Sequence, residues 1–102
     1  MKIIRQLSEM MSEEIADADR YAECALRHKG ENNQLADLFY RLSNEEMQHM
    51  ALLHDQASRL ILEYRTQHGD PPEAMMAVYN YLHEKQIDEA AKVKAKQSMY
   101  KS

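Results

Sequence analysis

The sequence predicts an all-α protein of three helices, and three observations support this fold class. Ala, Glu, Leu, Lys, Gln and Met dominate the composition, and all of them favour helix. The only two glycines, Gly30 and Gly69, stand where a helix is expected to stop. Apolar residues recur at steps of three and four on both sides of Gly30. A chain of 102 residues suits a single domain, residues 1–102.

The first helix is predicted over residues 2–29. Its residues recur at alternating steps of three and four, which is the spacing of a helical bundle core. We name this set the first stripe: Ile4, Leu7, Met11, Glu14, Ala18, Tyr21, Ala25 and His28. The stripe should face a neighbouring helix.

The second helix is predicted over residues 33–68. Asn32 and Asn33 follow Gly30, and both are good N-cap residues. A second stripe follows the same spacing: Leu35, Phe39, Leu42, Glu46, His49, Leu53, Gln56 and Leu60. Since the turn between the two helices is short, we expect them to form an antiparallel hairpin.

The third helix is predicted over residues 71–99. The segment from Asp70 to Glu73 places an Asp cap before two prolines in the first turn and a Glu at the capping-box position. The apolar face of this helix is broken. Its C-terminal end is rich in lysine, including Lys96, which complements the helix dipole and should be solvated.

Three polar residues interrupt the two stripes at similar depth. Glu14 lies 17 residues before position 31, and Glu46 lies 15 residues after it. At ~1.5 Å per residue, the two carboxylates should differ by only about 3 Å along the bundle axis. His49 follows Glu46 at i+3 and points the same way. Because burying unpaired carboxylates is costly, we expect these three residues to share a ligand.

Carboxylate and imidazole ligands suit Fe, Mn or Zn. We therefore predict Glu14, Glu46 and His49 as metal ligands. Three neighbours are candidates for supporting the ligands or for an ion entry path, namely Asp17, Tyr21 and Glu45, although surface charge or core packing would explain them equally simply.

The remaining composition excludes several function classes. A net charge of −4 gives no indication of the basic surface that nucleic-acid binding requires. No stretch approaches the ~20 apolar residues of a membrane span, and no signal peptide is expected. Cys24 is the only cysteine, so no intrachain disulfide can form, which fits a cytoplasmic location. The histidines outside the second stripe, including His83 beside Glu84, are not expected to bind metal.

Two segments resemble the rubrerythrin-type members of the ferritin-like diiron carboxylate superfamily. Residues 14–21, Glu-Ile-Ala-Asp-Ala-Asp-Arg-Tyr, are similar to the first-helix segment of that family. Residues 44–53, Asn-Glu-Glu-Met-Gln-His-Met-Ala-Leu-Leu, are similar to its Glu-x-x-His segment. A full-length member carries this helix pair twice, whereas here it occurs once. The resemblance is closest to the encapsulated ferritins, in which two chains build one diiron site.

This resemblance implies that Glu14 and Glu46 are carboxylate ligands and that His49 is a terminal nitrogen ligand. It implies two Fe per dimer, with Mn or Zn as substitutes. One Glu and one Glu-x-x-His are also half of the set that bundle di-iron sites use, so a two-fold dimer would supply the other half. The helical hairpin and the third helix would thus complete a ferritin-like four-helix bundle by dimerisation. Which Glu bridges the metals stays open.

The predicted function is iron binding with ferroxidase activity in iron storage or detoxification. A rubrerythrin-like peroxide-reducing diiron protein is one alternative. A non-enzymatic helical interaction module, in which the three residues form a buried polar network, is the other. The expected partner is a second copy of the chain, and the resemblance adds an encapsulating shell protein. The chain would then work in the cytoplasm or inside a protein nanocompartment.

Overall fold

A computed structural model describes all residues, 1–102, as three α-helices with no strands. Helix α1 spans Lys2–His28, α2 spans Asn33–His68 and α3 spans Glu73–Lys101. The helices run up, down and up, and they form a rod of 55 × 19 × 18 Å. The predicted all-helical class and the bounds of α2 are confirmed, whereas α1 ends one residue before the predicted position 29 because Lys29 is extended. None of the helices combines the length and the apolar character that a membrane crossing requires.

The first turn is built by local hydrogen bonds. Gly30 has φ 87°, a left-handed conformation that glycine adopts without steric cost. Its N–H donates to Asn33 Oδ1 at 2.8 Å. The Leu35 N–H donates to Asn32 Oδ1 at 3.1 Å, so Asn32 is the N-cap of α2 as predicted.

The start of α3 differs from the prediction. The helix begins at Glu73, and Asp70 does not cap it. Asp70 and Pro71 each precede a proline, and a residue before proline is driven out of the helical region. Pro72 has extended ψ of 135° at the N-cap and makes no side-chain cap. The carboxylate of Asp70 instead lies 3.7 Å from Arg65.

Helix α1 lies between the other two helices. It packs antiparallel to α2 and parallel to α3. Three small apolar clusters form the core, one near each end of the rod and one in the middle. They contain Ile4, Ala57 and Ile61; Ile15, Ala18 and Val93; and Ala25, Ala36 and Tyr100.

The buried register differs from the two predicted stripes. Four members of the first stripe are buried, and they alternate with half-buried members. No member of the second stripe is buried, because small residues form the contact instead. The buried residues of α2 are Ala36, Ser43, Ala57 and Ile61. Small side chains let α1 and α2 approach closely, which moves the larger residues of the second stripe to the edge of the contact.

Polar contacts attach α3 to α1. The buried Gln86 Nε2 donates to Ser8 O and Ser12 Oγ, both at 2.9 Å. Lys96 Nζ lies 2.7 Å from both Asp19 and Glu23. Its side chain is only 26% exposed, so the expectation of a fully solvated lysine end is wrong for Lys96. The α1 residues in these polar contacts lie outside the first stripe. Helix α3 therefore packs on a side of α1 that the first stripe covers only in part.

Candidate metal centre

The structure brings Glu14, Glu46 and His49 together at the middle of the α1–α2 pair. The Nδ1 atom of His49 lies 3.6 Å from Glu14 Oε2 and 3.7 Å from Glu46 Oε2. One donor atom from each residue falls within 4.8 Å of the other two. Glu14 and Glu46 lie at similar distances from the turn along their helices, and this places the three side chains close together.

The close approach of α1 and α2 positions these side chains. Ser43 Oγ donates to Ala18 O at 2.7 Å, which pins the backbones together about one turn from the site. Met47 and Met50 pack against the middle cluster of the core. Glu46 is half-buried and His49 is exposed, so these two side chains lie at an edge of the α1–α2 contact.

The site is partly open to solvent. The side chains of Glu14 and Glu46 are 24% and 20% exposed, whereas that of His49 is 54% exposed. The two carboxylates are therefore the more buried part of the site, and the imidazole is the more exposed part.

The two carboxyl groups perturb one another. The pKa of Glu46 is raised, first because it shares a hydrogen bond with Glu14, and then because of burial and the negative charge of Glu14. His49 opposes this shift. The Oε2 atom of Glu14 is buried and has no hydrogen-bond partner. Such an atom needs a proton, a water or a cation, and hard oxygen donors beside an imidazole fit iron, manganese or zinc.

The supporting residues predicted from the sequence make contacts of other kinds. Asp17 lies 3.0 Å from Arg20, and Glu45 lies 3.6 Å from Arg41. Tyr21 stacks on Phe39 with ring centroids 6.2 Å apart. No hydrogen bond joins Tyr21 to Glu14. These contacts are those of surface ion pairs and aromatic packing, so a supporting role for these residues stays a prediction.

One polar cluster was not expected from the sequence. His54 of α2 and His83 of α3 stack with ring centroids 4.8 Å apart. His54 lies 15 residues before Gly69 and His83 lies 14 after it. The two residues are therefore at nearly the same distance from this turn along their helices, which is a signal that the sequence contains. Spacing within α3 relates His83 only to Glu84 beside it, and a pattern confined to one helix gives no sign of His54.

Comparison with known proteins returned no match. No protein-family model matches the sequence. No curated protein matches it, and no solved structure matches its fold.

Proposed function

We propose that two copies of this chain bind two iron ions between them and oxidise Fe(II) to Fe(III). The observation that carries the proposal is the convergence of Glu14, Glu46 and His49 around a buried carboxylate oxygen without a partner. Metal bonds of about 2.1 Å place two donors on one ion at most ~4.2 Å apart. A spread of 4.8 Å needs only small side-chain rotations to reach that limit.

The ligand count supports a shared centre. One chain offers two carboxylates and one imidazole, which leaves an iron ion short of the five or six ligands common for this metal. A two-fold axis beside the site would add the same three residues from a partner. The resulting four carboxylates and two imidazoles are the set that di-iron helical bundles use. In such a centre Glu14, Glu46 and His49 of each chain would hold the two ions.

The surface around the site supports the second copy. Apolar residues flank the three ligands along both helices, and α3 leaves them uncovered. We name this surface the open face. Its half-buried members are Leu7, Tyr21, Leu35, Phe39, Leu42, Leu53 and Leu60, and its exposed members are Ile3, Met10, Leu38 and Leu52. An apolar surface of this length with ligands at its centre is suited to pairing with another copy.

The chemistry follows from the ligand types. Two Fe(II) ions supply two electrons, and O₂ takes them up with two protons to give H₂O₂. Peroxide is the other candidate oxidant. Carboxylates favour the Fe(III) product because they neutralise its higher charge. The chain's own part is to hold both ions at a fixed separation and to restrict access of other reactants. The bundle has no internal room for mineral, so the oxidised iron would leave the site.

Anaerobic titration with Fe(II) tests the proposal. Binding should saturate near one iron per chain, which is two per dimer, and oxygen uptake should follow admission of air. Glu46→Ala should abolish both signals because it removes one of the two carboxylates that each chain would offer to the ions. Glu45→Ala is the matched control, since it removes the adjacent acid on the same helix, and it should retain both.

Three outcomes separate the alternatives. Lack of saturable Fe(II) binding by the native chain would overturn the proposal and favour an interaction module. Equal loss of binding in both variants would show that iron is attracted by the negative charge of the surface rather than by this particular site. Oxidation by peroxide with an added reductant, but not by O₂, would assign the peroxide-reducing activity instead.

A further inference from the structure

Two imidazoles face each other across the gap between α2 and α3. The rings of His54 and His83 lie nearly parallel, 14° apart, with centroids 4.8 Å apart. Tyr79 also stacks on His83, with ring centroids 6.0 Å apart. The Nδ1 atom of His83 is buried and has no hydrogen-bond partner. The pair is therefore a contact between two helices in which one imidazole has an unsatisfied nitrogen.

Few charges surround this histidine pair. On α2, Asp55 lies beside His54, with its carboxylate 3.9 Å from His54 Nδ1 and largely exposed. On α3, Glu84 is the nearest acid to His83, and Lys94 lines the far end of the same groove. Helix α1 contributes no charged residue to the groove, only Met11. No carboxylate is within hydrogen-bonding distance of His83, so a second positive charge in the stack would be poorly compensated.

The gap beside the pair is a groove of about 350 Å³ between α2 and α3. Met11, Met50, Ile87 and Ala90 supply most of its apolar surface. Helix α3 is anchored elsewhere, because Gln86 and Lys96 bond to α1. Separation of α2 from α3 at the histidine pair could therefore widen this groove without detaching α3 from α1.

We propose that the His54–His83 stack is a proton-sensitive latch, which holds α2 against α3 at neutral pH and releases the groove when both imidazoles become charged at mildly acidic pH. Two like charges 4.8 Å apart in a partly buried site repel each other, and protonation also demands hydration of the buried His83 nitrogen. The latch is independent of the iron site, since neither histidine belongs to it.

The direction of the pH dependence follows from the proton balance. Burial, and then the neighbouring His54, lower the pKa of His83 below its ordinary 6.5. The unfolded chain therefore binds more protons than the folded chain in the interval below pH 6.5. The stabilisation by neutral His83 is fully present above pH 6.5 and is lost as pH falls through the lower pKa of the folded state.

The test compares the full-length native chain with His83→Phe, which keeps a stacked ring but cannot be charged. Urea unfolding at pH 7.5 and 5.5 gives the stability, and binding of an apolar dye reports the opened groove. Because the pKa of His83 is lower in the folded chain than in the unfolded chain, lowering the pH from 7.5 to 5.5 should raise the native unfolding constant more than that of the variant, by up to about tenfold. Dye binding at pH 5.5 should increase in the native chain only.

A control and a direct measurement complete the design. His68→Phe changes another α2 histidine that packs on Tyr64, outside the groove, and it should behave like the native chain. If His83→Phe does not fold, NMR titration of the native chain replaces it, and the pKa of His83 must then lie below its ordinary 6.5. Identical pH profiles for the native chain and His83→Phe would overturn the latch. A chelator that destabilises the native chain, but not His83→Phe, at pH 7.5 would also overturn it, because the pair would then be a metal site.

Discussion

Glu14 and Glu46 place two carboxyl groups against each other in a site that excludes part of the solvent. A proton shared with Glu14, then burial and the like charge of Glu14, raise the pKa of Glu46. The raised pKa means that the metal-free folded chain holds this proton more tightly than the unfolded chain. Stability from Glu46 is therefore present below its ordinary pKa of 4.5 and is lost as pH rises through the higher folded value.

Replacement of Glu46 by Gln should stabilise the metal-free protein at pH 7. Gln keeps the size of the side chain and removes the charge that opposes Glu14. We expect a gain of roughly 0.2–1 kcal/mol, the range for partly exposed charge pairs, together with loss of iron binding. Urea unfolding in the presence of a chelator measures the gain. Glu45→Gln, whose carboxylate pairs with Arg41, should give no gain. If Glu46→Gln is less stable than the native chain, repulsion between the two carboxyl groups does not destabilise the metal-free protein.

At the scale of the helix, α3 is attached to the hairpin by side chains at its C-terminal end. The Tyr100 hydroxyl donates to Asp37 Oδ1 of α2, and the Tyr100 ring stacks on Tyr40 with centroids 5.0 Å apart. Lys29 Nζ donates to Tyr100 O at 2.7 Å and to Ser102 O at 2.9 Å. A cation at this position satisfies the terminal carbonyl groups of α3. This end of α3 therefore contacts both other helices.

The bond to Asp37 should make Tyr100 the last phenol to ionise. The hydrogen bond to this carboxylate, with burial second, raises the pKa of Tyr100 to about 12. Its contribution to stability is present below the ordinary value of 10.0 and disappears as pH rises to about 12. Alkaline titration of tyrosinate absorbance should show this step, and Asp37→Asn should move it to lower pH. Tyr81→Phe, which removes an exposed phenol, should leave the step unchanged. A step that does not move in Asp37→Asn would disprove the bond.

At the scale of the whole molecule, the rod buries only 16 of its 102 residues and leaves the open face uncovered. Leu52 lies on this face, one turn after His49, and is 64% exposed. A charge at this position should hardly change the stability of a single chain, since exposed substitutions stay within about ±0.5 kcal/mol. The same charge inside a dimer contact would lack a partner.

Leu52→Asp should therefore prevent pairing without unfolding the chain. A two-fold dimer would bury one unpaired carboxylate from each chain, and at about 3 kcal/mol apiece this would weaken the dimer by about ten-thousandfold. Sedimentation should report dimers for the native chain and monomers for the variant, with the circular dichroism unchanged and iron binding lost. Tyr81→Asp is the matched control, because Tyr81 is 65% exposed but lies on α3. A monomeric native chain that still binds iron tightly would rule out a shared centre.

Local rules predicted most of the helical organisation from the sequence. The glycines at positive φ and the Asn32 cap depend on residues within one turn, so the ends of α1 and α2 followed directly. Convergence of Glu14, Glu46 and His49 followed from axial rise alone, because equal depth on an antiparallel pair places side chains together. Metal binding by these residues stays a prediction.

Only the tertiary structure decided which side of each helix is buried. The apolar stripes of α1 and α2 indicated their contact, but small residues such as Ala57 and Ser43 allow the closest approach and rotate the larger residues outward. Helix α3 carries a broken apolar pattern, so its position on α1 depends on polar bonds from Gln86 and Lys96 that no periodicity reports. The periodicity of apolar residues describes one helix at a time, whereas burial depends on how all three helices pack together. The partial exposure of Glu14, Glu46 and His49 follows from that assembly.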